Sequence, residues 1–137
     1  MWYLDYWVDG QSQMVPTCDV VGLLKGSGAV AADGGVSLTM PDQPEGFIAD
    51  VFIYADLAGE GLSHVALEPL ASESLYRLLY RLMGLGNAIL YTPDAAYPIT
   101  RCDDTARHLP DGMADALGPP RATVGEEDFV RLLTAWY

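Results

Sequence analysis

The sequence predicts an α+β fold: a mainly antiparallel sheet of about five to seven strands, with two principal helices, at about residues 70–84 and 125–136, packed on one face. Three observations lead to this prediction. Several short segments alternate apolar and polar residues, which is the period of a β-strand. Two longer segments repeat apolar residues at helical spacing. No repeat or linker divides the chain, so residues 1–137 are expected to form a single globular domain.

The first predicted strand covers residues 2–9. Its residues alternate between two faces: Trp2, Leu4, Tyr6 and Val8 on one, and Tyr3, Asp5, Trp7 and Asp9 on the other. Aromatic residues on both faces indicate that the outer face is also partly covered. Asp9-Gly10 is a typical pair of hairpin-turn residues, so residues 11–15 are expected to return antiparallel until Pro16 ends the strand.

Short apolar segments separated by glycine-rich turns follow at residues 20–24, 29–32 and 36–40. They predict one or two further hairpins, the second of them turning at Asp33-Gly34. A proline-rich loop at residues 41–46 then leads to the next strand.

Residues 47–57 form the clearest predicted strand. Its apolar face is expected to contact the helix at 70–84 and consists of Phe47, Ala49, Val51, Ile53, Ala55 and Leu57. The opposite face carries Asp50 and Asp56 and is expected to face water. The short strand His64–Leu67 then leads into the helix.

The helix at residues 70–84 has the strongest periodicity in the chain. Its apolar stripe consists of Leu75, Leu78, Leu79, Leu82 and Met83. Either Ser72 caps its N-terminus or Pro69 lies in its first turn, and Gly84 or Gly86 ends it.

Two strands and two helices are predicted after residue 86. Residues 88–92 and 97–101 are expected to pair antiparallel, and a short helix is expected at 111–117. Thr123 and Glu126 have the spacing of a capping box, which predicts the start of the last helix at about residue 125.

The charge is strongly negative, with 19 acidic residues against 7 basic ones and a net charge of −12. Residues 1–68 hold ten acidic residues and one lysine, and residues 69–137 hold nine acidic residues and six arginines. Such a surface repels phosphate backbones, which argues against nucleic-acid binding, and it speeds association with a basic partner. Simple solubility, as in many acidic bacterial cytoplasmic proteins, also explains this composition.

The sequence shows no apolar segment of the roughly 18–20 residues that a membrane span needs. Residues 1–10 lack the basic start of a signal peptide, so a cytoplasmic protein without membrane contact is expected. Cys18 and Cys102 are then expected to be reduced, with one or both of them buried, and they would pair only if the chain is exported and the two residues are adjacent.

Motifs that would indicate an enzyme are incomplete. Residues 26–31 superficially match a dinucleotide fingerprint, but the turn at 33–35 interrupts the helix that must follow it. The cluster of acidic residues, Cys102 and His108 at positions 102–115 matches no zinc or calcium spacing. The sequence therefore predicts no catalytic residue, no metal and no cofactor, and it favours a protein that is not an enzyme.

One local feature is typical of a binding surface. Tyr76, Arg77, Tyr80 and Arg81 are predicted on the outer side of the main helix, and both residue types are frequent at binding hot spots. Alternatively, the arginines are ordinary solvated helix charges, one of them paired with Glu73, and the tyrosines cover neighbouring loops.

Three functions remain open from the sequence. The leading hypothesis is a protein-binding module, like an inhibitor or immunity protein, that docks a basic partner through acidic residues including Asp50 and Asp56. The first alternative is a small enzyme or ligand-binding domain that uses His64 or His108 in a pocket between the sheet and residues 102–120. The second is a self-associating structural protein, if Tyr3 and Trp7 are uncovered at a sheet edge. The sequence does not predict the oligomeric state.

Overall fold

A long, mostly antiparallel sheet organises the fold in the computed structural model, which describes residues 1–27, 30–32, 35–40, 51–95 and 97–136. The strands are β1 (Trp2–Val8), β2 (Gln11–Ser12), β3 (Val15–Pro16), β4 (Val30–Ala32), β5 (Gly35–Leu38), β6 (Val51–Tyr54), β7 (Gly61–Leu62), β8 (His64–Leu67), β9 (Ala88–Tyr91), β10 (Ile99–Thr100) and β11 (Arg121–Ala122). The main sheet has the order β11-β10-β9-β1-β8-β6-β5-β4, with β2 also paired to β1 and a separate pair formed by β3 and β7.

The described helices are α1 (Thr17–Gly26), α2 (Glu73–Met83), α3 (Met113–Leu117) and α4 (Glu126–Trp136), and a 3₁₀ helix covers Asp103–His108. The predicted α+β class is therefore confirmed. Among the described residues the main sheet has nine strands, more than the five to seven expected. One pair, β10 with β11, is parallel. None of the helices in these ranges combines the length and apolar character needed to span a bilayer.

The inner face of the sheet is apolar and packs against α2. Tyr6 of β1 is fully buried, and its hydroxyl donates a hydrogen bond of 2.5 Å to the carbonyl oxygen of Leu82. The predicted stripe of α2 forms the centre of this core. Ser72 is the N-cap, because its Oγ accepts a hydrogen bond of 3.1 Å from the Leu75 amide.

Helix α4 packs beside α2, as predicted, with Phe129, Leu132 and Leu133 buried. The capping box predicted for α4 is wrong. The Thr123 hydroxyl donates instead to the carbonyl oxygens of Thr100 and Arg101, and the Asp128 carboxylate accepts a hydrogen bond of 3.0 Å from the Val124 amide.

The β1–β2 hairpin is confirmed and turns at Asp9-Gly10, where both residues have positive φ angles of 49° and 80°. The return strand is shorter than expected. Only Gln11 and Ser12 pair with β1, whereas Val15 and Pro16 pair with β7.

The prediction of a strand at residues 20–24 is wrong, because this segment is part of α1. Val20, Val21 and Gly22 have low helix propensity and therefore resemble a strand in the sequence. Val20 and Leu24 are spaced four residues apart and are buried in the core, and α1 contacts α2. The stabilisation from burying these side chains outweighs the low helix propensity of the segment.

Strand β6 ends at Tyr54, whereas the predicted segment continued to residue 57. Within it, Val51 and Ile53 are buried and Tyr54 is exposed, as the alternation predicted. Residues 47–50, and with them Asp50, lie outside the described residues, as does the Asp33-Gly34 turn. The strands that flank this turn, β4 and β5, pair antiparallel.

Candidate functional site

The outer face of the sheet, opposite α2, carries the candidate site. Residues alternate along a strand, so the burial of Leu4 and Tyr6 on the inner face directs Tyr3 and Asp5 outward. Strand β1 lies between β8 and β9, and its register places Asp5 beside His64 and Tyr3 beside Tyr91. We call Tyr3, Asp5, His64 and Tyr91 the outer-face cluster.

The carboxylate of Asp5 is the centre of this cluster. Its Oδ1 contacts Nδ1 of His64, and its Oδ2 accepts a hydrogen bond of 2.8 Å from the Tyr91 hydroxyl. The Asp5 side chain is only 11% exposed, whereas that of His64 is 51% exposed. A buried carboxylate needs such partners to offset the loss of hydration. The cluster therefore directs a fixed imidazole ring toward solvent.

The pKa of Tyr91 is raised above its usual value, mainly by burial and further by the hydrogen bond to Asp5. Tyr91 consequently keeps its proton at neutral pH and remains a donor to the carboxylate. Burial likewise raises the pKa of Tyr6 on the inner face.

Aromatic rings form a row across the three central strands. The ring of Tyr3 stacks on His64 with centroids 5.9 Å apart and on Tyr91 with centroids 5.4 Å apart. On the neighbouring β6, Phe52 and Tyr54 pack together with centroids 4.5 Å apart. These contacts restrict the rings to defined positions before any ligand binds.

A surface pocket of about 800 Å³ adjoins His64. Most of the residues that line it are apolar, including Met14, Tyr54 and Leu62. Asp56 and His64 also line it. Met14 is 63% exposed and Tyr54 is 41% exposed, so two large apolar side chains lie open to solvent at one place. We call this concavity the His64 pocket.

Asp56 lies at the His64 pocket and is exposed, as the sequence predicted for its side of the strand. Its Oδ1 accepts a hydrogen bond of 3.1 Å from the Ala58 amide. Asp50 lies outside the described residues. Two of the residues named from the sequence, Asp56 and His64, thus line the pocket, although Asp56 was predicted within a strand and lies just after β6.

The four helix residues predicted to bind have different environments. Tyr76 is buried and stacks on Trp2, and Tyr80 is partly buried between Phe129 and the guanidinium of Arg101. Arg77 is partly buried and Arg81 is exposed. The structure therefore does not bring the four side chains together on one open surface.

Arg77 joins α2 to α4 through ion pairs. Its guanidinium nitrogens lie 2.5 Å from Glu73, 2.7 Å from Glu127 and 3.4 Å from Glu126. The hydrogen bond that Arg77 donates lowers the pKa of Glu127, and the hydrogen bonds that Arg77 donates to Glu127 and Glu73 raise its own pKa. The contact with Glu73 matches the alternative in which Arg77 forms a local helix pair, whereas its contacts with Glu126 and Glu127 of α4 were not predicted.

The second histidine, His108, has a different place in the fold. Its Nδ1 accepts a hydrogen bond of 3.3 Å from the Asp9 amide, and its side chain is only 12% exposed. His108 thus attaches the β1–β2 turn to the 3₁₀ helix. The His64 pocket has no lining residue from 102–120, so it differs from the location predicted from the sequence.

The structure also bears on the predictions for the aromatic residues of β1 and for the two cysteines. Strand β1 is central to the sheet, so Tyr3 and Trp7 do not lie at an edge. Cys18 and Cys102 are both free, but both are exposed, so the expected burial of one or both thiols is wrong. Within the ranges that the structure describes, no three His, Cys, Asp or Glu side chains are grouped closely enough to hold a metal ion.

Comparisons with protein-family models, with curated proteins and with solved structures gave no match.

Proposed function

We propose that this protein is a non-enzymatic protein-binding module that docks a basic partner, as an inhibitor or immunity protein does, through the outer face of its sheet. The observation that carries this proposal is the combination, on one open face, of fixed aromatic rings with an exposed carboxylate. The rings are those of Tyr3, Tyr54 and Tyr91, and the carboxylate is that of Asp56.

The charge of the surrounding chain supports a basic partner. The strands β1, β6 and β8, which carry most of this face, belong to residues 1–68, which contain ten acidic residues and a single lysine. Opposite charge on a partner accelerates encounter and selects against acidic competitors.

The rings favour binding for a different reason. Tyrosine provides a large contact area with a polar end, and it is enriched among residues that contribute most to binding free energy. Because stacking already restricts Tyr3 and Tyr91, less side-chain entropy is lost when a partner binds. The face therefore combines complementarity of charge with preorganised contact area.

Charge reversal at the pocket tests this proposal. The Asp56→Lys variant is expected to bind its partner about tenfold or more weakly, because a repulsive contact replaces an attractive one. Immobilised protein would capture partners from host lysate, and the captured protein would then be purified and its Kd measured by calorimetry at low and high salt.

Asp115→Lys is the matched control, because it makes the same charge change at an exposed position on α3. The proposal requires a basic partner that the control variant still binds like the wild type. A partner with equal affinity for the wild type and Asp56→Lys, or one weakened equally by both variants, would contradict docking at this face.

The Asp5–His64 pair favours a second candidate function, a ligand-binding domain or small enzyme that uses His64. Asp5 holds Nδ1 of the ring, and a neutral imidazole oriented in this way presents Nε2 as a proton acceptor, which is the arrangement of a general base. Its position beside an open apolar pocket is typical of ligand sites.

This candidate predicts that His64→Ala weakens a bound small molecule, or its turnover, at least tenfold. A fragment library would be screened by NMR against the wild type, and each ligand that shifts the His64 resonances would be titrated against the variant. Asp5→Asn serves as the second variant, since it retains the shape of the carboxylate. Unchanged affinity and turnover in His64→Ala would eliminate the candidate.

A further inference from the structure

We infer that the His64 pocket receives a lysine or arginine side chain of the basic partner, whose stem contacts the apolar wall and whose charged end meets Asp56. This inference rests on the proposed protein-binding function and specifies which part of the partner the pocket recognises.

The walls of the pocket fit an aliphatic stem. Met14, Leu57 and Leu62 lie among its lining residues, and Met14 is largely exposed. Lysine and arginine bury their methylene groups against such surfaces while their charged ends remain at a polar rim. The unbranched thioether of methionine adapts to side chains of different shape.

The polar rim provides the matching charge. Among the described residues that line the pocket, Asp56 is the one carboxylate, and its Oδ1 accepts a hydrogen bond from the Ala58 amide. In the part of the chain that the structure describes, its Oδ2 has no hydrogen-bond or ion-pair partner. A guanidinium or ammonium group can therefore donate to Oδ2 without displacing an existing contact.

The exposed ring of Tyr54 gives the cation a second contact. Its packing against Phe52 fixes the ring at the pocket, where its face can attract a positive charge. No lysine or arginine is among the described lining residues, so no positive side chain there competes for Asp56. An acidic side chain would meet the negative field of residues 1–68, which excludes it as an occupant.

The test uses small probes that imitate the two side chains and one neutral analogue. Butylguanidinium, butylammonium and butylurea would each be titrated into the ¹⁵N-labelled protein, with NMR shift changes measured for every residue. Both cations are expected to shift resonances of residues 54–64 and Met14, and butylurea is expected to bind at least about tenfold more weakly.

Two variants separate the charge from the apolar wall. Asp56→Asn keeps an oxygen for the Ala58 amide and is expected to reduce the affinity for both cations about tenfold without changing that for butylurea. Met14→Ala removes part of the apolar wall. Its affinity for butylguanidinium is therefore expected to fall toward that for methylguanidinium, which has no butyl chain to contact the wall. Asp115→Asn is the control for the loss of one exposed negative charge.

Equal binding of butylurea and the cations, wild-type affinity in Asp56→Asn, or shifts located away from the pocket would each overturn the inference. These experiments also distinguish a failure of the inference from a failure of the proposed function. If the cations do not bind but Asp56→Lys still weakens the partner, docking stands and the pocket receives some other group. If the cations bind but the partner is insensitive to Asp56→Lys, the proposed function fails, and with it the recognition of a partner's side chain.

Discussion

Leu79→Ala is expected to lower the free energy of unfolding by about 3–4 kcal/mol. Leu79 lies in the middle of α2, is fully buried and belongs to the core between this helix and the sheet. Truncation removes apolar contacts and leaves a cavity in this core, which the surrounding structure fills only in part. The measurement is urea unfolding followed by circular dichroism. The unfolding midpoints of the wild type and the variant are compared, provided that the dependence of the free energy on urea has the same slope in both.

The matched control is Arg81→Ala on the same helix. Arg81 is exposed, so its replacement is expected to change stability by no more than about 0.5 kcal/mol. A loss below about 1 kcal/mol in Leu79→Ala would show that α2 does not pack on the sheet as described.

Gly35→Ala is expected to destabilise the protein by about 3 kcal/mol, the upper part of the usual range for overpacking. A Cβ at position 35 would overlap the carbonyl oxygen of Ile53 and lie 2.9 Å from its carbon. These are backbone atoms of the paired strand β6, so they cannot move aside without disrupting the β5–β6 ladder. Thermal unfolding by calorimetry would measure the loss.

Gly22→Ala provides the control with the opposite sign. Gly22 lies exposed within α1, and a Cβ there would have no atom within 4 Å. Alanine favours helix over glycine, so this variant is expected to gain about 0.5–1 kcal/mol. If both variants changed stability by the same amount and sign, the close approach of β5 to β6 would be incorrect.

The sequence predicted those parts of the fold in which the spacing of apolar residues along the chain matches the face that is buried. The leucine stripe of α2, the stripe of α4 and the alternation of β1 each follow one period over several residues. Helix α1 was missed because Val20, Val21 and Gly22 oppose the helix that tertiary packing imposes. Strand β11 was missed because its two residues are too few to show a period, whereas β10 lies within the predicted segment 97–101 and pairs antiparallel with β9 as expected.

The site was less predictable than the fold. Asp5 lies 59 positions from His64 and 86 from Tyr91, and it meets them only because β1 lies between β8 and β9. A single sequence without known strand order cannot show this pairing. Its one visible sign was an acidic residue in the middle of a strand whose outer face is also aromatic. Asp56 was accessible to prediction because exposure follows from local alternation.

The central position of β1 has a consequence for protein synthesis. This strand is translated well before β8 and β9, the two strands that pair with its edges. At about 5–20 residues per second, some seconds pass before both partners have left the ribosome. Until both are made, at least one hydrogen-bonding edge of this aromatic strand, outside its short pairing with β2, lacks its partner, which favours association with other chains. Pairing over long sequence separations also slows folding and so lengthens this exposure.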